Sequence, residues 1–231
     1  MLNIIMIITI ITIIITLIII VLACLYYWCS SPIIEEYDSN TPGPKIVILS
    51  GTHGNELAPH YAAVDYFNNH NIKKGSVTII IVNKCGILFN DREQGLINPF
   101  NDINRSYEKN HVLNKNIEKY IQDATLVIDL HESIKYDQEG GLGNTITYNN
   151  NYLDVEHLIN KINTTYKGPQ WTSYNTTRNY NFGYLPGALI WFCKKRDISY
   201  MLIETCKKDS YVRRQKITHT ILQHIYYKYL T

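Results

Sequence analysis

The order of apolar and polar positions divides the chain into a continuous apolar N-terminus and a longer mixed part. Residues 2–28 carry no charged side chain. The 22 residues from Ile4 to Leu25 would rise about 33 Å as a helix, enough to cross a bilayer core of about 30 Å. We therefore predict a single transmembrane helix, with residues 1–29 as the N-terminal anchor. Residues 30–44 are polar, acidic and proline-containing, which is typical of a linker.

Two other interpretations of the N-terminus stay open. A cleaved signal peptide is one, although no Lys or Arg precedes the apolar run and the run exceeds a usual signal core of about 7–15 residues. Val21-Leu22-Ala23-Cys24 loosely resembles a bacterial lipoprotein cleavage site. Basic residues are absent from both near flanks, so the positive-inside rule gives only a slight preference for an internal N-terminus. The rest of the chain would then lie outside the cytosol or in a lumen.

From residue 45 onward, short β-branched runs alternate with amphipathic stretches. The runs predict strands at 45–50, 76–83, 124–130, 145–148 and 198–203, and the stretches predict helices at 55–69, 111–122, 152–162, 188–195 and after Ser210. Residues 84–110 predict a long loop. Continuously apolar strands belong to sheets that are covered on both faces. The pattern predicts one α/β domain over residues 45–231, with three α/β/α layers around a mostly parallel, mixed sheet.

Composition and charge exclude some classes of protein. Lys and Arg total 22 against 20 Asp and Glu, a formal net charge of +2, so no nucleic-acid partner is expected. The five cysteines are Cys24, Cys29, Cys85, Cys193 and Cys206. Their spacing indicates neither a disulfide framework nor a cysteine zinc site. The oligomeric state is not predicted.

Polar side chains recur where the predicted strands end. His53 and Glu56 follow the first strand, His131 ends the third, and Glu204 ends the last. The carboxyl ends of strands in an open α/β sheet meet at one edge, where sites form. Two imidazoles and one carboxylate are a common catalytic zinc set, with the fourth position left for water or substrate. We expect His53, Glu56 and His131 to bind one Zn²⁺ per chain.

A second carboxylate is needed to take a proton from water and pass it to the leaving group. Glu204 is the best-placed candidate for this general base. Asp129 is expected to accept a hydrogen bond from a ligand imidazole. The predicted reaction is hydrolysis of an amide bond.

These residues also match motifs of a known family. Gly51-Thr52-His53-Gly54-Asn55-Glu56 resembles the GTHGNE signature of the succinylglutamate desuccinylase/aspartoacylase family. Asp102-Ile103-Asn104-Arg105 and Asp129-Leu130-His131 resemble its D-[LIV]-N-R and DLH motifs. The resemblance implies a zinc carboxypeptidase-like fold and a hydrolytic activity.

The resemblance also implies roles for further residues. Arg92 falls where the family has an arginine that polarises the scissile carbonyl, and Asn104 and Arg105 fall where it binds a substrate carboxylate. An arginine offers a planar fork that suits a carboxylate. The aspartoacylase branch adds a C-terminal β domain. Residues 205–231 predict only one helix, so we expect that domain to be missing here.

Three functions follow as hypotheses. The first is a membrane-anchored zinc hydrolase that acts on a small substrate with a free carboxylate, such as an N-acyl amino acid, with ester cleavage also accessible. A carboxypeptidase-type metallopeptidase acting on peptides or cell-wall-like substrates is the second. The third is a non-catalytic, membrane-tethered binding protein that keeps the fold.

Overall fold

Helices and strands alternate along the chain in the computed structural model, which describes residues 2–93, 102–107, 112–149, 154–176 and 187–231. The described helices are α1 (Leu2–Cys29), α2 (Ala58–Asn68), α3 (Lys84–Phe89), α4 (Val112–Ile121), α5 (Val155–Thr165), α6 (Leu189–Lys195) and α7 (Tyr211–Tyr229). The described strands are β1 (Ile33–Asp38), β2 (Lys45–Ser50), β3 (Ser76–Ile81), β4 (Leu126–Ser133), β5 (Thr145–Tyr148), β6 (Thr172–Asn175) and β7 (Tyr200–Cys206).

The seven described strands form one mixed sheet in the order β1-β3-β2-β4-β7-β5-β6. β3, β2, β4 and β7 run parallel to one another, whereas β1 pairs antiparallel with β3 and β5 pairs antiparallel with β7. The predicted α/β class and mixed sheet are confirmed. In this order β2 and β4 are neighbours, and β4 lies beside β7, so the three strand ends that carry candidate residues are adjacent.

Alternate side chains of the central strands serve two separate cores. Ile46 and Ile48 pack in a core with residues of α2, α5 and α7, whereas Val47 and Leu49 pack in a second core with α4 and α6. Successive side chains of a strand point to opposite faces. This explains why β2 is continuously apolar, and it confirms the three-layer arrangement.

The predicted linker contains a strand, which corrects the sequence analysis. Residues 33–38 form β1 at the edge of the sheet, paired with β3 from Ile33 to Asp38. Tyr37 packs on Phe67 with ring centroids 5.8 Å apart, and its hydroxyl donates to Asn68 at 3.0 Å. The packing of one aromatic ring therefore holds a segment whose polar composition indicates a linker. Its acidic residues suit an edge strand, because charge discourages pairing with another chain.

The predicted loop after β3 begins with a helix that periodicity does not indicate. Asn83 caps α3 by accepting a hydrogen bond from Gly86 N at 2.8 Å. Six residues are too few for an amphipathic repeat to stand out. Residues 94–101 of the same predicted loop lie outside the described residues. β6 was also not predicted, and α2 begins at Ala58 rather than at residue 55.

The N-terminal helix α1 stands apart from both cores. The segment Ile4–Cys29 is long and apolar enough to span a membrane, and its most apolar part is not buried against the rest of the protein. At its end, Cys29 forms a disulfide with Cys85 of α3. The sequence analysis expected no disulfide framework. The pairing depends on the fold, which brings together two cysteines that are 56 residues apart in sequence.

Candidate metal-dependent active site

The turn after β2 holds the first two candidate residues by close backbone packing. Gly51 adopts φ +59°, a left-handed conformation that favours glycine. A Cβ on Gly54 would collide with the backbone of Gly86 in α3. Gly54 N also donates to Arg92 O at 3.2 Å. The two glycines thus allow the turn to lie directly against α3, which fixes the backbone on either side of His53.

Four donor atoms from three residues converge at the carboxyl edge of the sheet. His53 Nδ1 lies 3.0 Å from Glu56 Oε1, and His131 Nδ1 lies 2.9 Å from Glu56 Oε2. The two Nδ1 atoms are 3.2 Å apart. His53, Glu56 and His131 are all buried. The structure therefore brings together the three predicted ligands, one pair from the β2–α2 turn and one from β4.

A carboxylate faces the second nitrogen of each imidazole. His53 Nε2 lies 3.2 Å from Asp102 Oδ1, and His131 Nε2 lies 3.1 Å from Asp129 Oδ1. Tyr200 Oη donates to Asp129 Oδ2 at 3.1 Å and orients it. A carboxylate in this position favours the Nε2–H tautomer and leaves the Nδ1 lone pair free to bind a metal. The predicted position of Asp129 agrees with this arrangement, whereas the partner of His53 was not predicted.

The pKa values show how strongly these groups interact. Burial alone would lower the pKa of His131, but Asp129 and Glu56 outweigh it and raise that pKa well above its usual range. Burial would likewise raise the pKa of Glu56, yet the imidazoles of His131 and His53 hold it well below its usual range. Burial would raise the pKa of Asp102, but the hydrogen bond and charge of His53, together with Arg105 and the backbone N of Asn104, lower it to about 2. The cluster thus concentrates negative charge around two imidazoles.

This donor set fits a divalent metal ion. Zn–N bonds of about 2.0–2.1 Å in tetrahedral geometry put neighbouring ligand atoms about 3.3 Å apart. The three separations of 3.0, 2.9 and 3.2 Å are close to that value. Three lone-pair donors at this spacing repel one another unless a cation or a proton lies between them. His53, Glu56 and His131 therefore have both the chemistry and the spacing of a metal-binding group.

Glu204 lies beside the ligand His131 on the neighbouring strand. The two residues are register partners in the β4–β7 pair. The backbone of Glu204 is fixed because its carbonyl accepts a hydrogen bond from Asn144 N at 2.7 Å. Among the described residues, no basic side chain forms an ion pair with its carboxylate. Burial raises the pKa of Glu204 to about 8, so the carboxyl group can both take up and release a proton near neutral pH.

One cavity of about 420 Å³ is lined by all seven predicted site residues: His53, Glu56, Arg92, Asn104, Arg105, His131 and Glu204. Arg92 is half-exposed and donates to Glu56 Oε1 at 3.0 Å. Asn104 and Arg105 belong to a 3-10 turn whose start is capped by Asp102. Ile134, Leu142 and Lys207 also line the cavity. The predicted residues are thus close enough to act on one substrate.

A buried ion pair supports the ligands, and the sequence analysis did not predict it. Glu132 Oε1 accepts from Arg214 of α7, and Glu132 Oε2 accepts from Ala58 N at 3.4 Å. The backbone N of Glu132 donates to Glu56 Oε2 at 2.9 Å. Glu132 therefore connects β4, α2 and α7 around the metal-binding group. Its place directly after His131 was the only signal in the sequence, and nothing local indicated Arg214 as its partner.

Comparison with known families gives an independent result. Residues 42–138 match the sequence model of the Succinylglutamate desuccinylase/Aspartoacylase catalytic domain. This segment of the chain is similar to that catalytic domain. The matched segment contains the three motifs around His53, Asn104 and His131, and it ends before Glu204. No curated protein matches the chain closely enough to add a relative by sequence.

Several solved structures share the fold of this chain. The mDAP-bound form of Helicobacter pylori Csd4, a D,L-carboxypeptidase, has a TM-score of 0.69 at 19% identity, covering 83% of this chain and 53% of Csd4. Succinylglutamate desuccinylase/aspartoacylase from Rhodobacter sphaeroides has a TM-score of 0.56 at 18% identity, covering 85% and 59%. Product-bound EutE (DoeB) from Ruegeria pomeroyi has a TM-score of 0.59 at 12% identity, covering 86% and 61%. The chain spans about half the length of the Csd4 structures.

The raised pKa of Glu204 predicts a pH-dependent stability of the metal-free protein. Between an unfolded pKa near 4.5 and a folded pKa of about 8, the folded state holds a proton that the unfolded state has lost. Stability therefore falls as pH rises through this window, by up to roughly 1.4 kcal/mol per pH unit from this group. Glu204→Gln cannot ionise and should lose less stability between pH 5 and 8.

Denaturant unfolding with a chelator present measures this difference. The matched control is Glu139→Gln, because Glu139 is exposed and pairs with Lys208 on the surface. The control should follow the wild type. Equal slopes of unfolding free energy against pH for the wild type and Glu204→Gln would contradict the prediction.

Proposed function

We propose that this protein is a zinc-dependent hydrolase that cleaves an amide bond, or an ester, in a small substrate with a free carboxylate. The observation that carries the proposal is the convergence of His53, Glu56 and His131 within 3.2 Å of one another, with Glu204 in the same cavity. The family and its fold support hydrolysis. When bound, zinc would lower the pKa of a water molecule and polarise the scissile carbonyl.

Glu204 acts as the general base in this proposal. Its carboxylate takes a proton from the attacking water and then delivers it to the nitrogen of the leaving group. A carboxyl pKa near the working pH suits both transfers, and burial supplies the upward shift. A bound metal ion would add positive charge near Glu204 and so favour the ionised form of this base.

The cationic side chains of the cavity orient the substrate. Arg105 and Asn104 bind its free carboxylate, and the planar guanidinium of Arg105 can donate two parallel hydrogen bonds to it. Arg92 stabilises the negative charge that develops on the carbonyl oxygen. Its hydrogen bond with Glu56 holds the guanidinium next to the metal-binding group, and its half-exposed position leaves donors for substrate.

A carboxypeptidase-type activity on peptides is the second candidate. It is favoured by the fold similarity to Csd4, of which tripeptide-bound and mDAP-bound forms are known. Both reactions use the same metal ligands, base and carboxylate-binding residues. They differ in the length of the group on the acyl side of the cleaved bond. Assays on a panel of N-acyl amino acids and peptides of matched C-terminal residue separate them.

Glu204→Gln should keep one zinc per chain and lose turnover by roughly 10²–10⁴-fold, the usual contribution of a general base. The change is nearly isosteric and leaves the three ligand residues intact. Metal analysis of the purified protein and single-turnover rates on the panel measure the two effects. Glu139→Gln is the surface control and should match the wild type in both. Turnover that survives in Glu204→Gln would refute the assignment of the base.

Arg105→Ala should raise KM for carboxylate-bearing substrates by roughly 10–100-fold, because a hydrogen bond to a charged group contributes about 1.5–3 kcal/mol. The same substrates with an amidated carboxylate should show little change. Arg105→Lys keeps the charge and loses the planar fork, so its KM should lie between that of the wild type and that of Arg105→Ala. Equal losses for free and amidated substrates would contradict carboxylate binding by Arg105.

We further propose that α1 anchors the protein in a membrane as a single pass and that the catalytic domain lies outside the cytosol or in a lumen. The length and composition of Ile4–Cys29 support the anchor. The disulfide between Cys29 and Cys85 supports the location, because disulfides persist in oxidising compartments and are rare in the cytosol.

The full chain isolated from its membrane should expose three reactive thiols after denaturation, those of Cys24, Cys193 and Cys206. Prior reduction should raise the count to five. Acid quenching before alkylation with a maleimide mass tag preserves the cellular state. Cys206→Ser should lower both counts of reactive thiols by one. In Cys85→Ser the count should be the same with and without prior reduction. Five thiols without reduction would contradict an oxidising location.

A further inference from the structure

The end of α1 is attached directly to the catalytic domain. Cys29 is bonded to Cys85, with Cα atoms 5.1 Å apart. The ammonium of Lys84 lies 4.6 Å from the ring centroid of Trp28, and Asn116 donates to Ser30 O at 3.2 Å. These contacts come from α3 and α4. The position of α3 is therefore fixed relative to the last turn of the proposed anchor.

The length of α1 puts this attachment near the membrane surface. Its 28 residues would extend about 42 Å at 1.5 Å per residue, longer than a hydrocarbon core of about 30 Å. Tyr26, Tyr27 and Trp28 are exposed at its end. Tyrosine and tryptophan are enriched at the interface between lipid and water. Cys29, and Cys85 with it, would then lie at the level of the headgroups.

The outer face of α3 is apolar and points to the same side as the disulfide. Cys85, Leu88 and Phe89 have i, i+3 and i+4 spacing, which puts them on one face of a helix. Leu88 is 64% exposed and Phe89 is 59% exposed. The other face is covered, because Gly86 packs on Gly54 and Ile87 reaches Gly51. Two large apolar side chains are thus left uncovered beside the anchor.

We infer that Leu88 and Phe89 insert into the interface of the same bilayer that holds α1, so that α3 is a second membrane contact. The inference rests on the proposed anchor and not on the proposed hydrolysis. Lipid is the expected occupant, because this apolar face continues from the aromatic end of α1 through the Cys29–Cys85 bond.

The contact has a consequence for the active site. Arg92 follows Phe89 by three residues, and its carbonyl accepts a hydrogen bond from Gly54 N in the ligand turn. The mouth of the cavity that Arg92 lines is therefore held close to the bilayer surface. A substrate that is itself attached to the membrane, or concentrated at it, would meet the site without leaving that surface.

Fluorescence quenching in lipid nanodiscs tests the contact on the full chain. Phe89→Trp adds a reporter to the proposed contact, and Tyr227→Trp adds one to an equally exposed aromatic position, 64% exposed, near the end of α7. Lipids brominated near the headgroup quench tryptophans that enter the interface. Brominated lipids should lower the extra emission of Phe89→Trp relative to unbrominated lipids, and they should leave that of Tyr227→Trp unchanged.

Leu88→Trp is the second reporter and should behave like Phe89→Trp if α3 lies in the interface. If brominated lipids quench Trp28 but leave the emission of both reporters unchanged, the α3 contact is overturned and the anchor remains. An unquenched Trp28 would overturn the anchor and the contact together. Neither result depends on whether the protein hydrolyses any substrate, so failure of the proposed function is separately visible.

Discussion

Mutual repulsion among three lone-pair donors is the constraint around which this structure is organised. His53, Glu56 and His131 present atoms within 3.2 Å of one another, and each imidazole has a carboxylate at its other nitrogen. Such an arrangement is stable when a cation balances it and needs rigid support in any case. The close packing of Gly54 on Gly86 and the Glu132–Arg214 pair supply that support.

The same rigidity links the site to the N-terminal helix. α3 touches the ligand turn through its inner face and carries the disulfide to α1 on its outer face. It then leads directly to Arg92, which pairs with Glu56. Six residues thus connect the proposed membrane anchor with Arg92, the proposed carbonyl-polarising residue, and with the proposed metal ligands. With α1 in a bilayer, as proposed, a flexible tether would allow the domain to tumble above the membrane, whereas this connection would set the distance between the cavity and the bilayer.

Sequence predicted the parts of the fold whose signals are local. The central strands β2, β3, β4 and β7 are largely apolar runs, and the candidate site residues follow β2 or lie near the ends of β4 and β7, so both the class of fold and the grouping of the site could be inferred. β1 could not, because Tyr37 packing on Phe67 holds a polar segment in the sheet. The Cys29–Cys85 bond and the Glu132–Arg214 pair join residues distant in sequence, and only the tertiary structure reveals them. The Asp102 contact with His53 was missed for the same reason.

X-ray absorption at the zinc edge, recorded on the full chain loaded with one equivalent of zinc, tests the central claim most directly. The account predicts scattering from two imidazoles at about 2.0–2.1 Å and from oxygen ligands at about 2.0–2.2 Å. His131→Ala should lose one imidazole contribution or fail to retain the metal. Sulfur scattering near 2.3 Å, or a spectrum that His131→Ala leaves unchanged, would contradict binding by His53, Glu56 and His131.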